Sequence, residues 1–148
     1  MIPKILISLL TLFVLFNTYN SINDYKKGIS IALSFSIFIT WFDFYKLLLS
    51  GILIFITTTI LTIYKGLVIR ELNVLEKLNF IFIGFFSGVG MLFSFMHWPF
   101  TNIISLLMLL PIILYLYISI KTQLKFNKKY LFLSILVLDC VFRFLRLF

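Results

Sequence analysis

The sequence predicts an all-helical integral-membrane protein, a bundle of five or six transmembrane helices in one membrane domain over residues 1–148. Three observations predict it. Hydrophobic residues fill 62% of the positions and charged residues only 12%, about half the charged share of a soluble domain; no water-soluble fold of this length could hide so much apolar surface. The apolar residues come in unbroken runs, whereas a membrane strand alternates over about 10 residues. The basic residues lie between the runs, where membrane topology places them.

Six runs can be marked, at about 5–19, 28–44, 47–64, 78–95, 103–120 and 130–148. Each approaches the roughly 20 residues a helix needs to cross the hydrocarbon core. The first follows Lys4 and looks like a signal peptide. No small-x-small cleavage site follows it, and Asn17, Tyr19 and Asn20 stand where one is expected, so the expectation is an uncleaved helix, with a signal anchor as the alternative. In the second run Ala32, Ser36 and Thr40 recur every four residues, a face suited to close helix contact. The second and third runs joined would far exceed the bilayer at about 1.5 Å per residue. A tight hairpin around Asp43–Lys46 is therefore expected.

The fourth run contains "GFFSG", in which Gly84 and Gly88 form a small-xxx-small pair that lets backbones approach. The fifth contains Pro111, which leaves the carbonyl of Leu107 without its helical donor and predicts a kink. The sixth is interrupted by Asp139, Arg143 and Arg146; it either spans or lies partly in the interface. A faint repeat lays "FITWFDFYKLLL" (38–49) on "FMHWPFTNIIS" (95–105), with Trp41 over Trp98, and suggests two related helical hairpins.

Charge sets the orientation. Loops 20–27, 65–77 and 121–129 carry nine of the 13 Lys and Arg residues, which places them in the cytoplasm and turn 96–102 on the other side. Six crossings leave both ends outside. The charge of +8 is thus topogenic, and no nucleic-acid partner follows from it. One Cys and one His exclude an internal disulfide and a His/Cys metal cluster. No nucleotide loop or catalytic triad is visible, so neither a cofactor nor a catalytic residue is expected. The Thr57–Thr62 hydroxyls can bond their own helix, and Asp43 with Lys46 reads as an interfacial pair.

Two groups stand out. In "SFMHWPFTN" Trp98 suits the headgroup level. Pro99 holds Trp98 extended and can start the next helix, and His97 is the one imidazole of the chain. The group reads as a rigid interfacial turn, with His97 capping or bonding across it, or as a partner site. In "LDCVFRFLRLF" Asp139 and Arg143 share a helix face and can pair. They either snorkel to water beside Arg146 near the chain end or form an intramembrane site for an anionic headgroup or a partner.

The stretch "GVGMLFSFMHWPFTNIISLLMLL" resembles the two-helix membrane hairpin of the GldL family of gliding-motility proteins of Bacteroidetes. The match falls at Leu92, Phe93, His97, Trp98 and Pro99, within residues 81–120. The resemblance implies a helical hairpin in a bacterial inner membrane, with turn 96–102 periplasmic, in a protein that works beside other membrane subunits. GldL itself serves in a proton-driven motor for gliding and type IX secretion. That family's Lys is Ser94 here and its Gly after the Pro is Phe100. Its membrane-embedded Glu falls at about Ile112, and no acid lies in 103–120, so the motor activity is not implied. The expected function is a non-enzymatic subunit or accessory of a bacterial membrane assembly, partnered by the bilayer and by other subunits or itself. A small oligomeric transporter or channel is the alternative, and a lipid-modifying enzyme built on Asp139, Arg143 and His97 is the third reading.

The orientation has a direct test. In a Cys140→Ala background, Thr101→Cys should react with a maleimide applied outside spheroplasts, and Arg70→Cys only after permeabilisation. The reverse pattern would overturn the assignment.

Overall fold

A helix satisfies every backbone donor and acceptor within its own segment, which is why long apolar runs take that form. The computed structural model describes residues 2–19, 24–40 and 45–147. The helices are α1 (Ile2–Tyr19), α2 (Asp24–Ile39), α3 (Tyr45–Val68), α4 (Val74–Met96), α5 (Thr101–Leu107), α6 (Leu109–Lys121), α7 (Lys125–Lys129) and α8 (Leu133–Leu145). No strand occurs among the described residues. Three helices are long and apolar enough to cross a membrane: Leu47–Val68, Val74–Met96 and, taken as one, Thr101–Lys121. The turn at 41–44, and with it Trp41 and Asp43, lies outside the described residues, as does 20–23.

The helices occupy the six runs with shifted ends. α2 begins at Asp24, before the apolar stretch, and brings Tyr25 and Lys26 with it. α4 begins at Val74, where the Glu76 carboxylate accepts a hydrogen bond from the Asn73 backbone N–H at 3.0 Å, half of a capping box that satisfies a helix-start donor. The fifth run is two helices broken at Met108. The break adjoins Leu107, whose carbonyl Pro111 leaves without its helical donor.

Small residues set the helix contacts. A Cβ added to Gly84 would stand 2.7 Å from Ile63 Cγ1 and 2.9 Å from the Thr59 carbonyl, and one added to Gly88 would stand 2.7 Å from Thr59 Oγ1. Gly66 meets Phe80 in the same seam, so α3 and α4 run antiparallel. Gly51 approaches Ser36 and Ile39 of α2. Ser36 is buried there, while Ala32 and Thr40 are half-buried.

The last helix holds the centre. α8 touches α1, α4, α5 and α6, and Leu133, Ile135, Leu136 and Cys140 are fully buried. Phe80 packs edge-on against Phe126, Tyr130 and Phe132, with ring centroids 5.1–6.2 Å apart. Four helices pack around this segment. Large apolar side chains also ring the outside, among them Phe13, Phe16, Phe35, Leu53, Ile60 and Ile113.

Described residues of the three basic loops meet at one end of the bundle. Lys65 Nζ lies 5.0 Å from the Tyr25 ring centre, Lys26 Nζ lies 5.1 Å from that of Tyr130, and Lys129 pairs with Glu71 at 2.8 Å. The hydrogen bond from Lys129 holds the Glu71 carboxyl below its ordinary value, and Glu71 raises Lys129 in return. Burial, and then the charge of Lys129, pull Lys26 down.

The glycine seam predicts a contrast. Gly84→Leu should cost about 1–3 kcal/mol by overpacking against α3. Gly28→Ala, which meets nothing within 4 Å, should be neutral or gain up to about 1 kcal/mol through helix propensity. Thermal unfolding in detergent compares them; equal effects would remove the seam from the account.

Candidate functional site

α4 presents a second face, distinct from the glycine seam. Ser87, Gly90, Met91 and Ser94 follow one another at helical spacing, so they form one stripe. α8 runs parallel to α4 and lays Asp139 and Arg143 on that stripe. Arg143 Nε donates to Asp139 Oδ2 at 2.8 Å, and Ser87 Oγ donates to the same oxygen at 3.0 Å. Arg143 Nη1 donates to the Gly90 carbonyl at 3.0 Å and to Ser94 Oγ at 2.7 Å, and Nη2 to the Met91 sulfur at 3.0 Å. The side chains are 8% exposed for Arg143 and 14% for Asp139.

Taking two charges out of water costs several kcal/mol per ion unless geometry and further hydrogen bonds compensate. Here the stripe supplies those bonds. It can do so because position 90 is glycine: a Cβ there would strike Met108 Cε and come within 3.3 Å of Arg143 Cδ. The expectation that this group snorkels to water beside the chain end is corrected. Of the three residues only Arg146 is exposed, because α8 is enclosed by its neighbours.

Two cavities flank the pair. One, of about 240 Å³, is walled by Ile37, Leu48, Ile52, Phe55 and Phe95 with Ser36, Thr40 and Asp139; Ser94, Arg143 and Arg146 line it too, with Ile7 and Met91. The other, of about 350 Å³, is lined by His97, Trp98, Thr101, Asn102 and Ser105, and again by Ser94, Arg143 and Arg146.

The "HWP" turn is built on the end of α4. His97 takes the left-handed conformation (φ 50°, ψ 38°), and its N–H donates to the Phe93 carbonyl. The Trp98 N–H reaches the same carbonyl at 3.2 Å, and the indole packs edge-on against the Phe93 ring at 4.7 Å. This is the helix ending in which backbone bonds and one apolar contact close the last turn. His97 thus caps through its backbone, and its side chain is exposed. Pro99 does not begin the next helix. The Thr101 N–H donates to the Trp98 carbonyl at 3.2 Å and Phe100 has φ −93°, ψ 15°, so Pro99 occupies the first central position of a β turn, where its fixed φ belongs. The Thr101 hydroxyl also donates to the Trp98 carbonyl, at 2.6 Å.

Other candidates are used up locally. Thr57, Thr58, Thr59 and Thr62 each donate a hydroxyl proton to their own helix within 2.9 Å. Among the described residues no three His, Cys, Asp or Glu side chains come together to hold a metal ion. Sequence reasoning singled out Asp139 and Arg143 but missed Ser87, Gly90, Met91 and Ser94. Their spacing was the available signal, and Gly84 with Gly88 drew attention to the neighbouring face. Compared with protein-family models, with curated proteins and with solved structures, the chain matches none.

The pair should behave as a unit. Arg143→Gln leaves a buried carboxylate unpaired and should cost about 3–5 kcal/mol, whereas Asp139→Leu with Arg143→Met should cost far less. Denaturant unfolding in micelles measures both; an equal loss would show that the two residues act separately.

Proposed function

We propose that the chain is a multi-pass protein of a bacterial inner membrane and serves there as a non-enzymatic subunit or accessory of a membrane assembly. In this reading the bundle crosses six times, and α1, α2 and α8 accompany the three long apolar helices. The convergence of the basic loops at one end supports the cytoplasmic assignment of loops 20–27, 65–77 and 121–129, with turn 96–102 periplasmic.

The observation that carries the reading is the turn after α4. It is fixed by backbone bonds and by the Phe93–Trp98 contact, yet it holds out Met96, Trp98 (46% exposed) and Phe100 (60% exposed) beside His97. A rigid apolar tip with polar neighbours has the make-up of a contact surface. The likeness of residues 81–120 to the GldL hairpin, a hairpin that works inside an assembly, supports the same reading. Enzyme chemistry would need positioned acid–base groups, and Asp139 and Arg143 are engaged with each other and with α4. The cavity walled by Asp139, Arg143, Ser36 and Thr40 favours a second reading, a small transporter.

A photocrosslinking amino acid at position 100 should give one discrete protein adduct in the native membrane, lost with Trp98→Ala. The same probe at Leu53 should give lipid adducts. Lipid adducts alone at both positions, with solute flux into liposomes that Asp139→Asn abolishes, would replace the assembly by the transporter.

A further inference from the structure

The positive-inside rule accounts for the nine basic residues of the three loops. It does not account for Arg143 and Arg146, which stand at the opposite end beside the turn. Among the described residues the Nε and Nη1 of Arg143 have oxygen partners, and Nη2 has the Met91 thioether, a weak acceptor. Arg146 makes no ion pair among the described residues. Ser94 accepts a bond from Arg143, so its own hydroxyl proton points elsewhere.

These three residues form the shared wall of two unlike spaces. One mixes polar and apolar walls, with His97, Thr101 and Asn102 beside Trp98 and Leu147. The other is mainly apolar, with Ile37, Leu48, Ile52, Phe55 and Phe95. The Ser36 hydroxyl, in the apolar space, donates to the Leu33 carbonyl, which leaves the guanidinium groups as the strong donors there. Among the described residues of the two walls, two guanidiniums face one carboxylate. Planar guanidinium donors suit phosphate oxygens, and an apolar slot behind them suits a hydrocarbon chain.

We propose that Arg143, Arg146 and Ser94 bind the phosphate of an anionic phospholipid whose acyl chain enters the apolar cavity between α2, α3 and α4. This goes beyond the assembly reading and does not depend on it. Native mass spectrometry of the full chain in neutral detergent tests it, with phosphatidylglycerol, phosphatidylcholine and inorganic phosphate as probes. Phosphatidylglycerol should be retained roughly tenfold over phosphatidylcholine, the scale of one charge-assisted contact. Arg146→Gln, at an exposed position, should abolish that preference. Leu48→Trp should reduce retention of both lipids by filling the slot. Lys128→Gln, at the other end of the bundle, should change nothing.

Equal retention of the two lipids by the wild type would overturn the proposal. So would an unchanged preference in Arg146→Gln, or a loss of preference in Lys128→Gln. Displacement of the lipid by millimolar phosphate would show a site for the free anion and would equally overturn it.

Discussion

The Arg143 guanidinium, buried against the face of α4, is the constraint on which the rest of the bundle depends. A cation removed from water must be matched by acceptors at short range. Asp139 supplies one from the same helix, and Gly90, Ser94 and Met91 supply the others from a different one. Apolar packing alone lets two helices slide and rotate at small cost, since one Leu is much like another. Directed bonds do not. They fix α8 parallel to α4 at one height, and the aromatic group of Phe80, Phe126, Tyr130 and Phe132 closes the same interface at its other end.

Much of this was legible in the sequence. The unbroken apolar runs located the helices, because continuous hydrophobicity over such lengths has no other regular use. Gly84 and Gly88 marked a close contact, though not its partner; Thr59 and Ile63 are known only from the packing. Pro111 located the break at Met108 through a local steric rule. The centrality of α8 was hidden. A short segment with three charges reads as peripheral until the hydrogen-bond partners of Asp139 and Arg143 are in view, and they lie about fifty residues upstream. The turn was misread at Pro99 for a related reason. Proline suits both a helix start and the first central turn position, and the choice was made by Thr101, whose N–H and hydroxyl both bond the Trp98 carbonyl.

Charge is divided between the two ends with different chemistry at each. The end that gathers Lys26, Lys65 and Lys129 places ammonium groups over tyrosine rings and beside Glu71. Lys129 is exposed there, whereas Lys26 is buried with its ammonium group over the Tyr130 ring. At the end with the turn the Arg143 guanidinium is buried.

Gly90 has a consequence that reaches beyond its own position. Arg143 and Met108 lean on it from two sides, and Met108 is the point at which α5 gives way to α6. The bend set by Pro111 and the seat of the guanidinium therefore share one atom's worth of room. Relatives of this chain should vary at positions 90, 108, 111 and 143 in concert. A bulkier residue at 90 calls for a shorter one at 108 and a different anchor at 143, so the four positions carry one joint inheritance where their wide separation along the chain suggests independence.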